Sequence, residues 1–571
     1  MKIKLLALYL SAIFVSCSNS KDQAFDTFKN NFVNNLWKQF PEWASSQGYH
    51  KYDDLLTIPD EKTRKSQLDF TAKYTDSLMN FDIDNLSDNN KTDFYLIKNQ
   101  LESFIFNTNE LKSFEWNPAE YNVCGNFAEI LNGNFATLEK RLQDFSKKSL
   151  KVADYYKAAQ KNIKNPTIEH TQLGIDQNLG GVSVFDIDII ASVEKSKLSK
   201  SEKDSILSRS KNASKAVKDY ASFLKKLNNS APTNFRLGKD LYARKFNFDI
   251  QSGYSVDEIF KKATDHKTAL HDKMFALSQK LWVKYHPTTA KPVDKLQQIK
   301  MVIDKISEQH TTPENFQTAI EKQIPELTAF VKQKNLLFID PKKPLVVRKE
   351  PDYMAGVAGA SISAPGPYDK NANTYYNVGS MKGWSAEKSE SYLREYNDYI
   401  LQILNIHEAI PGHYTQLVYS NQSPSVIKSI FGNGAMIEGW AVYTEKMMLE
   451  NGYKNSDEMW LMYYKWNLRS TCNTILDISV HTKNMTEQQA IDLLVNQAFQ
   501  QAAEADGKWK RVTLTQVQLC SYFTGYSEIF DFRESLKKQL GKDFDLKQFH
   551  EKFLSYGSAP VKYIKELYSN N

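Results

Sequence analysis

The sequence predicts a mainly α-helical protein: one large helical body with a small antiparallel β-sheet just ahead of the helix that bears the chemistry. Three observations carry this. Apolar residues recur at helical spacing through most of the chain, as in Asn90 to Leu111, Phe127 to Phe145, Ser214 to Leu227 and Val256 to Leu281. Helix starts carry capping chemistry, with capping boxes at Ser255–Glu258 and Thr486–Gln489 and a proline start at Thr312-Pro313-Glu314. One stretch breaks the pattern. Leu345 to Arg348 and Thr374 to Val378 have strand character, and the Gly-, Ala-, Ser- and Pro-rich residues 353–373 lie between them. That stretch lacks the Lys-Ser/Thr pair of a phosphate loop.

A chain of 571 residues exceeds one ordinary core, so two or three subdomains or one helical body with a deep cleft are expected. Apolar residues at 41% supply ample interior, and charged residues at 25% match a globular average. The formal charge is +6, with acids interleaved among the bases. No basic stripe of the kind nucleic acid requires is present. The lysines from Lys211 to Lys226 fit the solvated face of a helix.

The N-terminus differs in kind. Lys2 and Lys4 precede an apolar run, Leu5 to Val15, too short to span a bilayer. Phe14-Val15-Ser16-Cys17 then resembles a bacterial lipobox, with Phe14 where that motif usually has leucine. We therefore expect a signal peptide at 1–16, acylation at Cys17 and a tether over 17–23. The protein would sit in a bacterial cell envelope, anchored by lipid to the outer membrane. Cys124, Cys472 and Cys520 are odd in number and far apart, so free buried thiols are expected rather than a disulfide framework. A boundary near residue 340 would divide a helical N-terminal region, 24–340, from a catalytic region, 341–571.

Residues 406–416 carry the chemistry. In the pair His407-Glu408 an imidazole can bind a metal while the neighbouring carboxylate works on water. His413 follows six residues on, about 120° around a straight helix and so unable to share a metal with His407. Pro411 clashes with the carbonyl of His407 and Gly412 adds backbone freedom, so a kink could bring the rings together. Spacing alone also fits a helix end with polar side chains facing solvent. Further on, Glu438 lies far enough past His413 for a second, antiparallel helix to offer it as a third ligand. Glu445 lies seven residues later on the same face, where it could orient a ligand histidine from behind or serve as a surface carboxylate.

The pair of segments HEAIPGHYTQ (His407 to Gln416) and EGWAVYTE (Glu438 to Glu445) resembles the bacterial family catalogued as domain of unknown function 885, which is grouped with gluzincin-type metallopeptidases. Pro41-Glu42-Trp43-Ala44, Gly238 to Tyr242 and Phe549-His550-Glu551 are similar to further patterns of that family. The resemblance implies a zincin-like peptidase body with one zinc per chain, held by His407, His413 and Glu438, and Glu408 as general base. It also marks Tyr522 as a candidate to hold an oxyanion, though its flanking residues depart from the family form and a packing role is the alternative, and it marks the positions Arg469, Asp477 and His481. Asp477 and His481 are four residues apart on one helix face and can touch, either to hold the imidazole for an oxyanion or as a plain surface pair, while the guanidinium of Arg469 suits a substrate carboxylate. The expected activity is hydrolysis of short or unfolded peptides. Its rivals are a helical nutrient-binding surface lipoprotein and a zinc-binding pseudoenzyme. His550 is expected to be structural, since three protein ligands already complete a catalytic site.

Overall fold

The structure, a computed structural model, describes residues 20–343, 345–350, 360–369, 373–423 and 425–569. Cys17 and the segment expected to be removed lie outside the described residues.

The chain opens with α1 (Ser20–Gln39), α2 (Glu61–Met79) and α3 (Asp88–Phe106). Phe25, Phe32, Phe70 and Phe94 from these helices form a core that also takes in Ile427, Ile430 and Phe431 from much later in the chain. A second core gathers around α4 (Lys200–Lys226), whose Ala213, Val217 and Tyr220 point inward. Lys211, Lys215 and Lys218 lie on its exposed side, as the helical spacing requires.

The largest core runs from Phe235 to Ile564. It draws on α5 (Gly238–Asp249), α6 (Val256–Tyr285), α7 (Phe316–Gln333) and every long helix that follows. The capping boxes at Ser255 and Thr486 both form. Residue 340 does not mark a break in packing, because apolar residues on both sides of it share this core. The second core, which ends at Leu224, is the more self-contained unit.

The sheet has three strands, β1 (Leu345–Lys349), β2 (Ala360–Ser363) and β3 (Thr374–Val378), in the order β1-β3-β2. The two strands expected to pair antiparallel are instead parallel, with Leu345 opposite Thr374 and Lys349 opposite Val378. A parallel pair needs a long connection, and the segment between them is long enough to hold a strand of its own. That strand, β2, pairs antiparallel with β3 from Ala360↔Val378 to Ser363↔Tyr375. Its Ala-Ser-Ile-Ser sequence hid it among loop residues.

Behind the sheet lies α8 (Asp398–Glu408), capped by Asn397, whose side chain accepts from the backbone N–H groups of Tyr399 and Ile400 at 3.2 Å. Tyr376 of β3 donates to Asn405 Oδ1 of α8 at 2.7 Å, fixing sheet to helix. There follow α9 (His413–Asn421), α10 (Gly434–Glu450), α11 (Asp457–Lys483), α12 (Ala502–Leu514), α13 (Cys520–Leu540) and α14 (Leu546–Ser555). Helices α10 and α13 touch backbone to backbone. A Cβ on Gly439 would meet Gly525 Cα at 2.4 Å, and one on Gly525 would meet Ala435 O at 1.7 Å. Only glycine permits that approach.

Candidate metal centre

The break between α8 and α9 creates the site. Helix α8 stops at Glu408, and α9 begins at His413. In the turn, Gly412 N–H donates to Ile406 O at 3.0 Å. A Cβ on Gly412 would lie 1.8 Å from His407 O, so no other residue fits there. Trp440 of α10 donates its indole N–H to Pro411 O at 2.9 Å and holds the turn against the next helix. Two imidazoles that a straight helix would hold apart thus face each other, with centroids 4.7 Å apart and planes at 87°.

Glu438, from α10, completes the group. Its Oε2 lies 3.6 Å from His407 Nε2 and 3.4 Å from His413 Nε2. Ligand atoms around a tetrahedral zinc with bonds near 2.0–2.1 Å stand roughly 3.3 Å from one another. The observed separations match that edge. Glu438 Oε2 is buried and has no hydrogen-bond partner among the described residues, a setting that suits a cation. The donor set, two imidazole nitrogens and a carboxylate, is therefore one that fits zinc. Glu408 is the other nearby carboxylate. Its carboxylate and the nitrogens of His407 and His413 all lie within 4.8 Å of one another. Glu408 flanks the centre and Glu438 closes it.

Electrostatics follow from burial among these charges. Burial disfavours a charged His407, but Glu438 and Glu445 outweigh it and raise its pKa to about 10. Burial works against the Glu438 carboxylate too, yet His413 and His407 hold its pKa well below the usual range. For Glu408 burial prevails over the histidines and pushes the carboxyl up, the direction that favours proton acceptance near neutrality.

Glu445 is fully buried, and its Oε1 lies 2.7 Å from His407 Nδ1. Trp466 of α11 donates to the same oxygen at 3.0 Å. The ring nitrogen of His407 that faces away from the centre is thus engaged by a carboxylate, which directs Nε2 inward. His413 has no such support, and its Nδ1 is buried without a hydrogen-bond partner among the described residues. Tyr522 reaches the site from α13, its ring nearly parallel to that of His407 at 6.5 Å, and its hydroxyl accepts from Arg511 Nη2 at 3.1 Å.

The remaining expected residues lie differently. Asp477 accepts from Tyr242 OH at 2.7 Å and from the backbone N–H groups of Val517 and Leu519 at 3.0 and 3.1 Å. His481 Nε2 meets the carbonyls of Val512 and Thr515, each at 3.0 Å. Both residues brace the segment between α12 and α13, so the oxyanion role expected of His481 is not the one its contacts describe. The four-residue spacing that placed them on one face did not reveal which neighbour that face meets. Arg469 stacks over Trp466 at 4.6 Å and donates to Glu504, so its guanidinium already has a carboxylate. His550 is a core residue: Tyr443 OH lies 2.7 Å from Nε2, and Leu336 O lies 2.8 Å from Nδ1.

Sequence reasoning missed Trp466 and the charged face of α12, Glu504, Lys508 and Arg511. Their spacing of four and three was visible, but charged residues at helical spacing are usually solvated, and here Lys508 is buried.

The family described as bacterial protein of unknown function (DUF885) matches residues 41–567. The chain belongs to that family. A solved structure of a candidate lipoprotein of unknown function from Shewanella oneidensis is 53% identical to this DUF885 chain, with a TM-score of 0.86 over 95% of this chain and 99% of that one. A crystal structure of a candidate lipoprotein from Colwellia psychrerythraea, 17% identical, has a TM-score of 0.79 over 96% of this chain and 99% of that one, and shares the fold. No functionally curated protein matches.

Proposed function

We propose that this DUF885 protein is a zinc-dependent peptidase that hydrolyses short or unfolded peptides. The observation that carries this reading is the placement of Glu438 Oε2 at 3.4 and 3.6 Å from two imidazole nitrogens, with Glu408 beside them. His407, His413 and Glu438 would hold the metal. Zinc bound there supplies Lewis-acid polarisation of a carbonyl and of an attacking water.

The protein side chains divide the rest of the reaction. Glu408, its pKa raised by burial, accepts the proton of the attacking water and passes it to the leaving amine. Glu445 keeps His407 oriented through Nδ1. Tyr522 donates its hydroxyl proton to the oxygen that gains charge at the scissile carbonyl, while Arg511 donates to the same hydroxyl and favours that polarisation. The edge strand β2 offers backbone groups to an extended peptide. The lipobox-like segment ending at Cys17, and the lipoprotein description of the Shewanella relative, support a lipid anchor in the cell envelope.

The test is metal analysis of the purified protein together with mass spectrometry of a peptide library incubated with it. One zinc per chain and chelator-sensitive cleavage are expected. Zinc without cleavage of any peptide would favour a pseudoenzyme, and absence of zinc would overturn the reading. For the anchor, Cys17→Ala should release the protein from the membrane fraction; unchanged fractionation with no acyl mass on the N-terminal peptide would contradict it.

A further inference from the structure

We propose that Arg511, with Lys508 behind it, receives a substrate carboxylate beside Tyr522. The inference rests on the peptidase reading and deepens it by naming a substrate class, peptides with a carboxylate within one or two residues of the cleaved bond.

The first observation is a cluster of positive charge, partly or fully buried, whose paired carboxylates are already engaged. Arg469 and Lys465 come from α11, and Lys508 and Arg511 from α12. Glu395 and Glu504 are the carboxylates within ion-pair distance of them among the described residues. Glu395 is paired with Lys465 at 2.8 Å, and Glu504 is taken by Arg469. Lys508, with a side chain only 3% exposed, comes no closer than 3.9 Å to Glu504. Arg511 has no carboxylate within ion-pair distance among the described residues; its Nη2 meets only Gln518 Oε1 at 2.7 Å and Tyr522 OH at 3.1 Å. Burial, reinforced by the Arg469 charge, holds Lys508 down to about 7. An arriving anion would relieve that cost.

The second observation is position. Arg511 touches the hydroxyl of Tyr522, and the Tyr522 ring lies 6.5 Å from that of His407. An extended peptide advances about 3.3–3.6 Å per residue. A carboxylate on the guanidinium therefore belongs to a residue one or two positions from a carbonyl held at Tyr522. A planar fork of N–H donors is the group best shaped for a carboxylate. Arg469, expected from sequence to play this part, positions Glu504 instead. The carboxylate has two possible sources, the C-terminus of the peptide or an acidic side chain.

The test is calorimetric binding to the full chain carrying Glu408→Gln, so that no turnover intervenes. The probes are an N-acetylated tripeptide as free acid, the same peptide as C-terminal amide, and an amide ending in glutamate. The free acid should bind about 10- to 100-fold more tightly than the plain amide, the range for a hydrogen bond to a charged group. Arg511→Gln should abolish that difference, while Arg511→Lys should keep part of it. Equal tightness of the glutamate amide and the free acid would assign the subsite to a side chain; weak binding of that amide would assign it to the C-terminus. Equal binding of acid and plain amide, binding of neither, or a preference that survives Arg511→Gln would overturn the proposal. Library cleavage with Glu408 intact tests the peptidase reading separately.

Discussion

Glu445 has no surface in contact with solvent, and one of its oxygens meets both His407 and Trp466. Glu445→Gln should retain the fold but loosen the ring, lowering zinc affinity by about 10- to 100-fold, as loss of such supporting partners does. Zinc titration against a competing chelator checks this, and unchanged affinity would show that the contact does not support the metal. Two histidines away from the site, His550 fully buried and His266 partly so, set an acid limit on stability. Burial holds His550 and His266 down to about 4, against about 6.5 in an unfolded chain. Between those values the unfolded state binds more protons. Stability is therefore complete above pH 6.5 and falls as the pH drops toward 4, by about 3 kcal/mol at most per histidine. Thermal melting against pH should show this loss, and His550→Gln should flatten part of the slope. At this scale the sequence was most legible where a residue type has one use. His407, Glu408, His413, Glu438 and Glu445 were each singled out, and the structure gathers them. Asp477, His481 and Arg469 were not legible, because a carboxylate or imidazole within a long helix meets whatever packs against it.

The turn at 409–412 turns a six-residue spacing into a shared site. Gly412→Ala places a Cβ where His407 O already lies. It should deplete the protein of zinc while leaving every ligand in the sequence. Metal analysis of the folded fraction checks this, and full zinc content would show that the turn tolerates a side chain. The same reasoning applies where α13 meets α10. Gly525→Ala should separate the helices, shift Tyr522, and destabilise the protein by roughly 1–3 kcal/mol, the range for overpacking. The kink was legible because proline and glycine have backbone rules of their own. The contact between Gly439 and Gly525 was not, because a glycine in a helix does not name its neighbour. The sheet was half legible: β1 and β3 have β-branched and aromatic residues, while β2 is small and polar and its pairing depends on β3.

Across the whole molecule, the N-terminal helices are joined to the later part of the chain by buried charge as well as by phenylalanines. Asp93, fully buried, accepts from Lys29 at 2.7 Å and from Lys428 at 2.6 Å. Asp93→Asn would remove the carboxylate that two buried ammonium groups share, leaving Lys29 with Asp26 and Asn90 and Lys428 with Asn89 alone, and should cost about 3–5 kcal/mol. Denaturant unfolding checks this, and a cost below about 1 kcal/mol would mean the lysines find other partners. This tie also explains why residue 340 is no boundary. The chain returns to its first helices after building its centre, a path that composition does not display. The central claim, hydrolysis through a metal centre with Glu408 as base, is tested most directly by comparing Glu408→Gln with the unmodified protein at equal zinc content on the same peptide library. The account expects normal folding, retained zinc and turnover reduced at least about 10²-fold. Near-normal cleavage by Glu408→Gln would contradict it.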